Sequence, residues 1–156
     1  MDEPATATQD DPLALERQVC FALVVAARSV VALYRPLLEP MGLTHPQYLV
    51  MLSLWQQAPL SVKGLSQLLQ LDPGTLSPLL KRMEAQGLLI RARDGDDERL
   101  LSVSPSAAGR ALRTRAELIP GAVVDRLGMD LEQLQQLHST LTQFIIAANA
   151  VEEDLP

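Results

Sequence analysis

Cysteine occurs once in these 156 residues and histidine twice, while tryptophan, tyrosine and phenylalanine together make up 3%. A single cysteine excludes an intramolecular disulfide framework and a zinc site built on four cysteines. His45 and His138 stand far apart in the chain, which speaks against a metal centre. No uninterrupted apolar run approaches the roughly 20 residues that cross a bilayer, and the first residues lack the basic start and apolar segment of a secretory signal. The expectation is a soluble, cytoplasmic protein without a cofactor. Positive charge is also scarce, the formal net charge being -6. That argues against non-specific nucleic-acid binding, which depends on neutralising phosphates, and leaves room for a local basic surface. What is present is 47% hydrophobic residues, enough for one domain with a real core.

The most strongly punctuated stretch is Ser61 to Arg99. Ser61 opens a short amphipathic helix with Leu65, Leu68 and Leu69 on one stripe. Asp72 at the cap and Pro73 at the first helical position start a second helix, because the aspartate oxygen satisfies free N–H groups and proline has no donor to lose. Gly87 ends it. Leu76, Leu79, Leu80 and Met83 form its core face, and Thr75, Ser77, Lys81 and Arg82 project between them. Leu88, Leu89 and Ile90 begin a strand, Asp94-Gly95-Asp96-Asp97 reverse it, and Leu100, Leu101 and Val103 return. Two helices and a hairpin predict a winged helix-turn-helix in a mostly α chain. The second helix would enter the major groove of double-stranded DNA, and the hairpin would carry Arg91, Arg93 and Arg99 to the flanking backbone or minor groove. Taken singly, each of these cations reads as a solvated face. Grouped, the five basic residues Lys63, Lys81, Arg82, Arg91 and Arg93 stand against only Asp72 and Glu84 between Ser61 and Arg93, in a chain of negative charge.

Around this module, residues 1–10 are small, polar and acidic and read as a disordered tail. Asp11 and Pro12 predict the start of a long helix from Leu13 to about Leu38. Phe21, Val24, Val25, Val30 and Val31 spread its apolar surface round much of the cylinder, which predicts burial on more than one side and hence a dimer. Thr44 and Gln47 form a capping box that opens a helix through Tyr48, Met51, Leu52 and Trp55. Ser104 and Pro105 are expected to start another helix, Pro120 and Gly121 to interrupt it, and Asp130 to cap a last one. That last helix carries Leu131, Leu134, Leu137, Leu141, Phe144 and Ile145 at heptad-like spacing, and His138 reads as a surface residue.

The runs LERQVCFAL, YRPLLEPMGLT, PQYLVMLSLW and LSVKGLSQLLQLDPGTLSPLLKRMEAQGLL, the hairpin DDER and the later Ile119-Pro120 resemble the MarR family of repressors, and within it the organic hydroperoxide sensors of the OhrR type with one cysteine. The resemblance covers roughly Leu13 to Pro120. It implies a tail over 1–10 and a single MarR-like domain over 11–156, with the winged helix-turn-helix at about 61–104. It also implies a homodimer whose platform is made by helices at about 11–39 and 104–151. Cys20, otherwise read as an inert small hydrophobe, becomes by resemblance a peroxide-reactive thiolate held by tyrosine hydroxyls, one of them Tyr34. Fourteen residues along one helix is roughly 21 Å, so such a contact requires the partner chain. Where relatives carry tyrosine, this chain has His45 and Val24. A histidine can donate to a thiolate, more strongly if protonated, and equally reads as a helix-start residue. Asp97 is by resemblance the residue that orients Arg99.

Three functions stand as alternatives. In the first, a repressor of a pseudo-palindromic operator releases it when Cys20 is oxidised to a sulfenic acid, which a small thiol converts to a mixed disulfide. In the second, a repressor is released by an aromatic ligand with Cys20 a bystander. The third is a one-cysteine thiol peroxidase, which leaves the basic module unexplained and for which no second catalytic motif is visible.

Overall fold

The computed structural model describes residues 11–94 and 97–153, apart from the side chains of 94–100 and 152–153; the expected tail over residues 1–10 and the turn residues Gly95 and Asp96 lie outside the described residues. The chain divides into two compact units, Met1–Arg113 and Thr114–Pro156.

The first unit opens with a turn where a long helix was expected. The Asp11 carboxylate accepts from the Leu13 N–H at 2.9 Å, yet the next element is a single 3-10 turn, Leu15–Arg17. Gln18 breaks the run. Its backbone is extended (φ -80°, ψ 112°), and its side-chain amide donates to the carbonyls of Pro12 at 2.8 Å and Ala14 at 3.2 Å, acceptors that a continuous helix would have satisfied internally. Helix α1 is therefore Val19–Leu38, which places Cys20 in its first turn. Val19, Phe21, Val24, Val25, Val30 and Val31 are all exposed. The segment Val19–Met41 has a mean hydropathy of 1.6 over an 18-residue window, long and apolar enough by length and composition to cross a membrane. The expectation concerned uninterrupted apolar runs, and Arg28 and Arg35 interrupt this segment. Arg28 lies near the middle of α1, where a bilayer centre would penalise a cation by about 2.5–3.5 kcal/mol.

A 3-10 turn, Glu39–Met41, closed by Gly42 in the left-handed region (φ 68°), leads to Thr44. Its side chain accepts from the Gln47 N–H while the Gln47 side chain accepts from the Thr44 N–H, and this capping box opens α2 (His45–Gln57) as expected. Tyr48, Val50, Met51 and Leu54 are buried. After the two-residue β1 (Leu60–Ser61), Ser61 caps α3 (Val62–Leu69) by accepting from the Gly64 N–H at 2.9 Å. Leu65 is fully buried but Leu68 is half exposed, so the apolar stripe is narrower than its leucines suggest. Gln70 in the left-handed region (φ 51°) turns the chain, with the Ser66 hydroxyl donating to the Leu71 carbonyl.

Asp72 then caps α4 (Pro73–Ala85), whose Leu76, Leu79, Leu80 and Met83 are buried. The helix ends at Gly87 (φ 74°) in a Schellman arrangement, with the Gly87 N–H on the Glu84 carbonyl at 2.9 Å and the Leu88 N–H on the Met83 carbonyl at 3.0 Å. Strands β2 (Leu89–Asp94) and β3 (Asp97–Pro105) form the expected antiparallel hairpin, to which β1 adds in the order β1-β3-β2. Ser104 and Pro105 belong to this ladder, opposite Ile90 and Leu89, and do not start a helix. Ser106 does, its hydroxyl accepting from the Gly109 N–H at 3.0 Å at the head of α5 (Ala107–Ala111). Gly109 permits a close approach there, since a Cβ would sit 2.0 Å from the Leu88 carbonyl oxygen. A short α6 (Arg113–Ala116) comes next.

The second unit contains α7 (Ile119–Leu127) and α8 (Leu131–Glu153). Pro120 was expected to interrupt a helix and instead lies in the first turn of α7, where its missing N–H is one that no intrahelical bond uses. Asp130 caps α8 as expected, accepting from the Gln133 N–H at 2.8 Å while the Gln133 side chain accepts from the Asp130 N–H at 3.0 Å. Leu131, Leu137, Phe144, Ile145 and Ile146 are exposed, and His138 is exposed beside them.

Candidate functional site

Two groups of side chains carry chemistry. The first begins at Cys20, a free and exposed thiol. Tyr34 is 14 residues further along the same unbroken helix, and at about 1.5 Å per residue the two stand roughly 21 Å apart along its axis. At its own end Tyr34 belongs to an aromatic cluster. Its ring centroid lies 4.9 Å from that of His45, edge-on, and 5.7 Å from that of Tyr48, with His45 and Tyr48 6.5 Å apart. The capping box at Thr44 positions this pair, His45 being the first residue of α2 and Tyr48 the next on the same face. Tyr48 is the member that sequence reading missed, and its three-residue spacing from His45 was the signal available. Burial pushes the His45 pKa below its ordinary value, which favours the neutral imidazole in the single chain. Burial first, and then the neighbouring Tyr34, raise the Tyr48 phenol, which stays a hydroxyl donor. Val24, one turn after Cys20, is exposed.

The second group is on α4 and β2. The Asp72 carboxylate accepts from the Thr75 N–H at 2.9 Å and from the Thr75 hydroxyl at 2.7 Å. The hydroxyl contact first, and then the backbone one, hold its pKa below the usual carboxylate value. The Thr75 hydrogen is therefore committed to the cap, and the hydroxyl offers only its lone pairs outward. At 3.6 residues per turn, Thr75 and Arg82 fall on one flank of α4 and Ser77 and Lys81 on the other. Lys81 and Arg82 are exposed and Ser77 is half-buried. Thr75 and Arg82, with Thr44, Gln47, Leu79 and Gln86, line a cavity of about 550 Å³.

Arg91 is engaged within the fold. Its Nε and Nη2 donate to Glu84 Oε2 at 2.9 and 2.6 Å, and its backbone N–H donates to Glu84 Oε1 at 3.3 Å. The guanidinium in turn holds the Glu84 carboxyl below its ordinary pKa. This pair joins the last turn of α4 to the start of β2. Arg93 is exposed two residues along the strand. Asp97 and Arg99 lie on β3, with their side chains outside the described residues.

A capped helix-turn-helix whose second helix runs directly into a three-stranded hairpin sheet defines a winged helix-turn-helix protein. A family model described as the MarR family matches residues 43–101. The chain is 43% identical over 131 residues to an organic hydroperoxide resistance transcriptional regulator of Bacillus subtilis, covering 84% of this chain and 89% of that one. It is also 43% identical over 150 residues to the HTH-type transcriptional regulator TtmR of Methylorubrum extorquens, covering 95% and 77%. The chain belongs to the MarR family of transcriptional regulators. Among solved structures, reduced AbfR of Staphylococcus epidermidis bound to DNA is similar with a TM-score of 0.71 at 28% identity, covering 86% of this chain and 94% of that one.

Proposed function

We propose that the protein is a homodimeric, cytoplasmic repressor that binds a pseudo-palindromic operator in double-stranded DNA when Cys20 is reduced and releases it when an organic hydroperoxide or a related oxidant oxidises Cys20. The observation that carries this reading is the pairing of an exposed thiol in the first turn of α1 with an aromatic hydroxyl cluster at the far end of the same helix. Two antiparallel copies of α1 would bring Cys20 of each chain to Tyr34, His45 and Tyr48 of the other. The exposed apolar residues of α1 and α8 are the surface such a dimer would cover, and the relative named for organic hydroperoxide resistance supports the oxidant class.

The chemistry is a two-electron transfer. The thiolate sulfur attacks one peroxide oxygen, an S–O bond forms as the O–O bond breaks, and the departing alkoxide takes a proton and leaves as an alcohol. Phenol hydroxyls and an imidazole N–H suit this step, since they donate hydrogen bonds to the thiolate and the leaving oxygen. With one cysteine in the chain, the sulfenic acid is resolved by a small thiol, whose sulfur attacks Cys20 and expels water to leave a mixed disulfide. Either product adds bulk at the helix pairing and shifts the two reading heads off half-site spacing.

On the DNA side, Lys81 and Arg82 meet phosphates, Thr75 and Ser77 approach base edges, and Arg93 and Arg99 track the wing, with Asp97 orienting Arg99. Arg91 acts through its grip on Glu84, setting the angle between α4 and the hairpin. The test uses a duplex selected from a random-sequence pool by the reduced protein. Stoichiometric cumene hydroperoxide with glutathione should weaken wild-type binding at least tenfold and leave Cys20→Ser unaffected, with intact-mass analysis locating the modification. A Cys20→Ser protein that releases DNA like wild type would eliminate the redox reading.

A further inference from the structure

We infer that Gln47 is a positioning residue that ties the recognition helix α4 to the aromatic cluster, and that the state of the cluster reaches the DNA-reading surface through it. The inference rests on the redox reading only for what perturbs the cluster. The link itself stands on geometry.

Gln47 is 4% exposed, the one buried polar side chain among the described residues, and all of its polar atoms are engaged. Its backbone N–H meets the Thr44 hydroxyl at 3.4 Å, its Oε1 accepts from the Thr44 N–H at 3.1 Å, and its Nε2 donates to Gln86 Oε1 at 2.9 Å. The two ends of this amide serve different elements. Oε1 closes the first turn of α2, where His45 meets Tyr34 edge-on. Nε2 reaches Gln86, the C-cap residue of α4, whose own N–H is bonded to the Arg82 carbonyl at 3.0 Å. A rotation of the first turn of α2 caused by displacement of the His45 ring must therefore either carry Gln86 with it or leave a buried amide unpaired.

The surroundings make this bond consequential. The main packing partners of α4 are α3 and β2, and the Gln47–Gln86 hydrogen bond adds a polar link from its C-terminal end to the head of α2. Between them lies the cavity of about 550 Å³ lined by Thr44, Gln47, Thr75, Leu79, Arg82 and Gln86. Gln47 and Gln86, joined by their hydrogen bond, both line this space, and Thr75 and Arg82 on its wall belong to the DNA-reading flank. A cavity beside this polar link gives α4 room to change angle when the link moves.

The test uses Gln86→Ala, because the Gln86 side chain is exposed and the capping box at Thr44 is untouched. Operator affinity of reduced, full-length protein is measured for wild type, His45→Ala, Gln86→Ala and the double variant. Peroxide-treated samples are then measured in the same way, with Cys20 oxidation timed by intact mass. The expected results are a cycle in which the two substitutions depart from additivity by threefold or more in affinity, and a Gln86→Ala protein that oxidises at the wild-type rate but loses at least fivefold of the wild-type ratio of reduced to oxidised affinity. Additivity within twofold overturns the link. Should wild-type protein keep its operator after oxidation, the redox reading falls, and the cycle on reduced protein still decides for or against Gln47.

Discussion

His45 stands where the resemblance to hydroperoxide sensors implies a tyrosine, and its environment gives it a testable pH signature. A ring held half-buried against Tyr34 and Tyr48 has its pKa lowered by burial, so the unfolded chain binds the proton more readily than the folded one. Stability from this residue is then complete above the unfolded histidine value of about 6.5 and is lost progressively as pH falls from there toward the lower folded value. Thermal melts should show wild type losing more between pH 7.5 and 5.5 than His45→Phe does, the ring of the latter having no proton to gain. Parallel curves would mean that the imidazole is solvated in both states. Sequence reading found His45 and Tyr34 through motif resemblance but left the protonation state open, because that depends on packing between α1 and α2. For the same reason it missed Tyr48, and also Gln47 as anything more than a capping residue. The Gln47–Gln86 and Arg91–Glu84 bonds join positions 39 and 7 residues apart, and no local pattern announces either.

At the level of elements, caps were the most legible feature. Thr44, Ser61, Asp72 and Asp130 each cap the helix they were expected to cap, since a side-chain oxygen three residues ahead of a free N–H is a purely local device. The failures arose where a tertiary partner overrode a local signal. Ser104-Pro105 reads as a helix start until the ladder with β2 claims it, and Gln18 ends a promising helix by turning its side chain back onto Pro12 and Ala14. The same distinction sorts the cations of the reading module. Lys81 and Arg82 are exposed on α4, so Lys81→Ala and Arg82→Ala should each lower the slope of log affinity against log salt by about one for a phosphate contact. Arg91 is already paired with Glu84 at 2.6 Å. Arg91→Ala should therefore weaken operator binding with little change in that slope, and Glu84→Gln should weaken it in the same direction. A slope change of a full unit in Arg91→Ala, with Glu84→Gln unaffected, would place the Arg91 guanidinium on DNA.

For the whole molecule, the question is what covers α1. A helix with exposed valines round much of its surface and an arginine near its middle suits a protein partner better than lipid, and in the proposed homodimer that partner is a second copy of this chain. The separation of Cys20 from Tyr34 gives that dimer a specific consequence. Because both residues belong to one continuous helix, about 21 Å apart along it, a tyrosine hydroxyl can serve the thiol only across the two-fold axis. A heterodimer of one Cys20→Ser chain and one Tyr34→Phe chain separates the arrangements. If the site is shared between chains, the single remaining thiol faces the intact Tyr34 of its partner, and Cys20 should oxidise at the wild-type rate per thiol. If each site is built within one chain, that thiol faces the phenylalanine of its own chain and should react at the slower rate of the Tyr34→Phe homodimer. Co-expression with two different affinity tags yields the mixed species, and intact-mass timing of oxidation by cumene hydroperoxide reads the rate. Oxidation at the Tyr34→Phe homodimer rate would remove the cross-chain site, and with it the link between the redox event and the spacing of the reading heads.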